Sequence, residues 1–380
     1  MQKKLLEKGD IKMKDRNSNF DLLKIIAMFF IVVYHILFVN TMMLNPSNSL
    51  LEFKILSLLC FIIIVHVNLF VMITGYYQSN RETNYKKILY LYLVCVFYSF
   101  SSKLVGYYLN LGEINIYDFI SSFFPSVVGD YWFIACYIIM YLFVPYINIL
   151  IKSIDKKQFQ RLLILCFTIF SLVPFFTGMK IITNTGYTFF HFIYLYLVGA
   201  YLKHYPIKLN KIRSINKKRI LYFISFLVFG LINYMLNMFT IYSNSSNLFM
   251  TNIISLLQNS YYSYARPFVI LQTISLFLLF ETFTIKSKII TTISKATLGV
   301  YLISTSGYFS KLFYKYTTID IYHVGLIEKL KYIFAGAVFI FIICIVVELL
   351  RIYILKIARN IIMKIKCKVK KNNNKKRCIK

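Results

Sequence analysis

The segment from Asn19 to Ile36 reads NFDLLKIIAMFFIVVYHI, an apolar run that nevertheless carries Asp21, Lys24 and His35. Ionisable side chains at membrane depth are costly, so those that persist there usually serve a function. In a helix turning about 100° per residue, Lys24 and His35 fall within about 20° of one face, with Asp21 about 60° from Lys24 and about 40° from His35. The three form one stripe, about 16 Å long between Lys24 and His35. Such a stripe offers proton abstraction at one end and anion binding at the other. Histidine suits removal of a proton from a sugar hydroxyl near neutral pH, its unperturbed pKa being about 6.5. Lysine holds a phosphate or diphosphate of a cytosolic cofactor as a point charge. A plainer reading stands beside this one, in which Asp21 and Lys24 pair by snorkelling to the interface and His35 is a packed, hydrogen-bonded residue.

Positioning that stripe takes a membrane bundle, and the composition supplies one. The chain has 380 residues, 58% hydrophobic and 15% charged, where soluble domains carry about 25% charged residues. With 36 Phe and 32 Tyr but 13 Gly and 6 Pro, disorder, collagen-like structure and a disulfide scaffold are excluded. Segments of roughly 20 apolar residues span a bilayer. Ten are predicted, at Asp21 to Asn40, Glu52 to Tyr77, Ile88 to Leu111, Tyr131 to Ile151, Leu162 to Gly178, Gly186 to Leu202, Ile220 to Ile241, Pro267 to Ile285, Ile289 to Ser310 and Tyr332 to Leu355. Asn247 to Leu257 is apolar but short, and Ile116 to Val128 reads as re-entrant or interfacial. The predicted fold is all-α, a polytopic transmembrane bundle with residues 19–356 as its body, a basic segment 1–18 before it and a basic tail 357–380 after it.

The formal net charge of +30 by itself suggests nucleic acid, but its distribution does not. With ten spans, 35 of the 44 Lys and Arg residues fall on the side that holds both termini, which the positive-inside bias makes cytoplasmic. Cys60, Cys95, Cys136, Cys166 and Cys344 lie in spans and Cys367 and Cys378 in the tail, so none is placed for an external disulfide, and no spacing suggests a zinc or redox site. The first apolar run is too long and lacks a cleavage site, which makes it an uncleaved helix. Lys364 to Lys380 reads as a solvated basic run able to lie on anionic lipid. No internal repeat argues for an inverted-repeat transporter.

Four motifs then resemble membrane acyltransferase family 3. On the first helix, Asp21, Lys24 and His35 are similar to that family's Asp, two residues, Arg, ten residues, His pattern. Leu69 to Tyr77, LFVMITGYY, resembles its Phe-Phe-x-x-Ser-Gly-Tyr/Phe motif with Thr74 for Ser. Asp130 to Asn148, DYWFIACYIIMYLFVPYIN, looks like its Trp-Phe helix continuing to a Pro, and Ile293 to Ser304, ISKATLGVYLIS, resembles a late-helix motif that ends in His in many members. The resemblance spans about residues 19 to 356, in the family's order. Lys24 for Arg keeps the charge and loses the bidentate fork. Ser304 stands where many members have His; His66 and His191 are candidates to fill that role, although each reads more simply as a packed intramembrane histidine.

The resemblance implies transfer of an acetyl or other short acyl group, from acetyl-CoA on the cytoplasmic side, to a hydroxyl of a surface polysaccharide or its lipid-linked precursor. His35 would be the general base, with Lys24 and Asp21 beside it in the catalytic set. Lys24, Arg81, Lys86 and Lys87 would meet the donor's phosphates, and Thr74, Tyr76 and Trp132 the substrate, Thr74 and Tyr76 as oxyanion donors. No metal, bound cofactor or nucleic acid is expected; the partners are membrane lipid, the glycan acceptor and acyl-CoA. Simpler roles remain for several of these residues: Arg81, Lys86 and Lys87 as loop charges, Trp132 as an interfacial anchor, Glu348 and Arg351 as a mutual pair, Glu281 as a partner of Lys286 and Lys288, and Arg266 as a loop charge. A glycan transporter or flippase, or a membrane scaffold, would share the composition.

Overall fold

The computed structural model describes residues 17–39, 49–125, 131–178, 184–207, 209–210, 212–242, 262–317 and 324–377, and within them every regular element is helical. In chain order the helices are α1 (Asn19–Tyr34), α2 (Leu50–Ile63), α3 (His66–Gln78), α4 (Tyr85–Tyr108), α5 (Ile116–Ser121), α6 (Trp132–Ser153) and α7 (Lys156–Phe167). They continue as α8 (Val173–Thr177), α9 (Phe189–His204), α10 (Ile215–Tyr242), α11 (Pro267–Glu281), α12 (Lys288–Thr305), α13 (Gly307–Thr317) and α14 (Leu326–Arg377). Their starts follow local sequence: Ser49 with Glu52 caps α2 and Asp155 with Gln158 caps α7 as reciprocal boxes, while Pro267 opens α11.

Each of the ten predicted spans is helical. Among the described residues, seven helical stretches are long and apolar enough to cross a membrane: 19–37, 50–78, 85–108, 132–153, 156–177, 215–239 and 326–363. The other three spans correspond to α9, α11 and α12, of 16, 15 and 18 residues. Two of these have a physical reason to be short. They are enclosed by protein, with α11 burying residues from Pro267 to Phe280 on every side, and a helix hidden from lipid need not match the bilayer thickness. The apolar segment at Asn247 to Leu257 lies outside the described residues; of Ile116 to Val128, the described residues 116–125 hold the short α5, and 126–128 lie outside them.

The first helix is the hub, packing against α2, α3, α11, α12 and α14 and contributing to both hydrophobic clusters of the bundle. Its N-terminal end is tied to the α11–α12 junction: Asn19 Nδ2 donates to the Phe280 carbonyl at 2.9 Å, and the Ser18 hydroxyl meets that of Thr291 at 3.0 Å. A Cβ on Gly75 of α3 would collide with the Tyr196 carbonyl of α9, and one on Gly199 would collide with the Met72 carbonyl, so the two backbones touch through a reciprocal glycine pair.

The span predicted at Glu52 to Tyr77 is one apolar helical stretch, 50–78, interrupted between α2 and α3 at Ile64–Val65. The carbonyls freed there are satisfied by side chains, as they must be inside a bilayer: Gln272 Nε2 of α11 donates to Phe61 and Ile62 at 3.1 and 3.3 Å, and His66 Nδ1 to Ile63 at 2.8 Å. The last helix continues into the basic tail, since α14 runs 52 residues to Arg377. From Leu349 to Arg377 the sequence has neither Gly nor Pro to stop it.

Candidate active site

The stripe on α1 faces a cavity of about 530 Å³ enclosed by α1, α3, α4, α6 and α12. Lys24, Met28, Ile31 and His35 line it at helical spacing, with Tyr34 beside them. From α3 come His66, Phe70 and Thr74, again one face; from α6 Trp132, Phe133, Tyr137 and Tyr141; from α4 Lys87 and Tyr90; from α12 Ser294, Lys295, Thr297 and Tyr301. Two loop residues, Tyr187 and Tyr264, close the far end.

Lys24 Nζ lies 3.5 Å from Asp21 Oδ1, and Ser294 of α12 donates to the same oxygen at 3.3 Å. Asp21 is buried and lies behind the cavity wall, where it orients Lys24 and ties α1 to α12. His35 opens a π-helical turn, His35–Val39, directly after α1; such turns recur at functional sites. Its ring is partly exposed to the cavity, and among the described residues it has no hydrogen-bond partner. The other two histidines inside the bundle are committed. His66 donates from Nδ1 to Ile63, so its Nε2 accepts from the Tyr264 hydroxyl at 3.3 Å. His191 donates from Nε2 to Asn68 Oδ1 at 3.1 Å and does not line the cavity. Ser304, at the end of the late-helix motif, is buried with its hydroxyl on the Tyr301 carbonyl, also off the cavity.

The remaining predicted site residues divide. Thr74 and Lys87 line the cavity, as does Trp132, whose ring lies 4.3 Å from that of Tyr187 and stacks on Tyr264 at 6.0 Å. This aromatic wall faces the cavity. Tyr76, Arg81 and Lys86 lie off the cavity. Tyr76 points to the opposite face of α3 from Thr74, packs on Phe20 and donates to Glu281 at 3.1 Å. Arg81 sits over the Tyr77 ring, and Lys86 is exposed. Thr74 donates its proton to the Phe70 carbonyl at 2.9 Å, so in the 3.4 Å contact between the two hydroxyls it is Tyr137 that donates to Thr74 Oγ1, a long bond that Tyr137 gives up when it donates into the cavity.

Tyr187, Tyr264, Tyr137 and Lys295 were not singled out from the sequence. The loops carrying the first two are held by long-range bonds, Tyr264 N to the Thr185 carbonyl at 2.9 Å and Ser171 Oγ to the Ala265 carbonyl at 2.6 Å. For Tyr264 the signal was the aromatic run YYSYARP, 261–267, before a helix start. The Glu348–Arg351 pair forms as expected, bidentate at 2.6 and 2.7 Å, with Tyr98 donating to Glu348 at 2.6 Å. Arg266 is fully buried between Phe61 and Phe175, so it is no loop charge. The five described cysteines are free thiols.

The site thus sets Lys24 and His35 on one cavity inside the helical bundle. The family model described as an acyltransferase domain, acyltransferase family 3, matches residues 17–349. The chain belongs to this family and is a multi-pass membrane acyltransferase. No curated protein and no solved structure matches the chain.

Proposed function

We propose that the protein is an O-acyltransferase of the cell membrane that moves an acetyl or other short acyl group from acyl-CoA to a hydroxyl of a surface polysaccharide or its lipid-linked precursor. The observation that carries this reading is the placement of Lys24 and the unpartnered His35 on one cavity, about 16 Å apart along α1. The pantetheine arm of the donor, about 12 skeletal bonds long, reaches about 14 Å at the ~3.5 Å per three bonds of an extended chain. A diphosphate at Lys24 therefore puts the thioester beside His35. The positive-inside bias makes the lysine end cytoplasmic, where acyl-CoA resides.

In this mechanism His35 accepts the proton of the acceptor hydroxyl as its oxygen attacks the thioester carbonyl. Tyr137 donates to the developing oxyanion. Collapse of the tetrahedral intermediate forms the ester, breaks the carbon–sulfur bond, and returns the proton from the imidazolium to the departing thiolate. Trp132, Tyr187 and Tyr264 stack on the acceptor sugar, and Asp21 holds Lys24 in register. Comparing surface-glycan O-acetyl content by NMR between cells with and without the gene tests the reading. Loss of O-acetyl signals without the gene supports it, and unchanged glycans refute it.

A further inference from the structure

Lys24 has two companions. Lys87 of α4 and Lys295 of α12 line the same cavity, and among its described lining residues none is acidic. The three share one end of the bundle. Ser18, just ahead of α1, bonds the Ser287 carbonyl at the start of α12, and the C-terminal end of α3, from which the chain turns into α4, packs on Phe20 through Tyr76 and Tyr77. They also differ in depth: the Lys24 side chain is 27% exposed, whereas Lys87 and Lys295 are exposed at the rim. Three cations around one mouth, with Asp21 set behind only the innermost, repel one another until an anion with several charges enters. A single phosphate at Lys24 leaves the rim pair unmatched.

We infer that Lys295 and Lys87 form an outer phosphate subsite that holds the 3′-phosphate of the coenzyme while Lys24 holds its diphosphate. The inference rests on the acyl-CoA reading and deepens it, since the 3′-phosphate lies at the end of the molecule farthest from the thioester, as the rim lies farthest from His35. The phosphate of an anionic lipid headgroup offers the same chemistry, and the experiment separates the two sources.

Binding of CoA and of 3′-dephospho-CoA to the full-length protein is measured by calorimetry in discs of zwitterionic lipid, where no anionic headgroup competes. Loss of the 3′-phosphate should weaken binding to the wild type about three- to tenfold, the range for one charge-assisted contact at a partly exposed site. K87A/K295A should bind CoA with the affinity that wild type shows for dephospho-CoA, and should no longer distinguish the two ligands; Lys295→Arg should retain the preference. Equal wild-type affinity for both ligands, or a double variant that keeps the full preference, overturns the inference and leaves the rim lysines to lipid headgroups. A wild type that binds neither ligand refutes the acyl-CoA reading itself, a result distinct from CoA binding that ignores the 3′-phosphate.

Discussion

Replacing Lys24 tests whether that residue serves the donor or merely balances Asp21. The two are 3.5 Å apart, with the Asp21 side chain 4% exposed. At an effective dielectric near 20 such a pair attracts by about 5 kcal/mol before desolvation is counted, and breaking a buried pair costs about 3–5 kcal/mol because a charge is left uncompensated. Lys24→Ala should therefore lower stability by an amount toward the lower end of that range, since Lys24 is partly exposed and Ser294 still bonds Asp21. D21N/K24A removes both charges and should recover most of the lost stability, seen as the unfolding temperature of detergent-purified protein. Donor use should not recover: KM for acyl-CoA stays raised in the double variant and in Lys24→Ala, and rises less in Lys24→Arg, which keeps the charge. If D21N/K24A regains the wild-type donor KM along with its stability, Lys24 is only a counter-ion and the donor site lies elsewhere.

Two further variants address packing and the oxyanion. Gly199→Ala forces a methyl against the Met72 backbone and should cost about 1–3 kcal/mol of stability, the usual penalty of overpacking, with a fall in activity because α3 carries His66, Phe70 and Thr74; unchanged melting would remove the glycine contact from the account. Tyr137→Phe should lower kcat by about 10²-fold as the loss of one oxyanion donor does, whereas Thr74→Val, whose proton is already spent on Phe70, should change kcat far less; the reverse order would reassign the donor to Thr74.

Much of the site was legible because the α1 stripe depends only on helical periodicity, and α1 is regular from Asn19 to Tyr34. The span positions were legible for the same reason, hydrophobic length. What periodicity cannot report is which polar groups on other helices rescue a broken backbone. The interruption at Ile64–Val65 contains no Gly or Pro, and its support comes from Gln272, more than 200 residues away. Tyr187 and Tyr264 reach the cavity from loops placed by tertiary hydrogen bonds, so no spacing rule points to them. Lys295 was hidden by a sufficient explanation: a basic residue near a helix start satisfies the positive-inside bias whether or not it binds anything. Tyr76 shows the converse, since it sits in a recognised motif two residues from Thr74, yet two residues on a helix is about 200°, which turns it to Glu281.

The proposed transfer depends on His35 taking the acceptor proton. Membrane vesicles carrying wild-type or His35→Ala protein at equal abundance are given radiolabelled acetyl-CoA, and label in the glycan fraction is counted. Label should accumulate with the wild type and fall by at least about 10²-fold with the variant, the scale of a lost general base, while a thermal melt shows the variant folded. Label entering glycan at the wild-type rate in His35→Ala vesicles would contradict that role for His35.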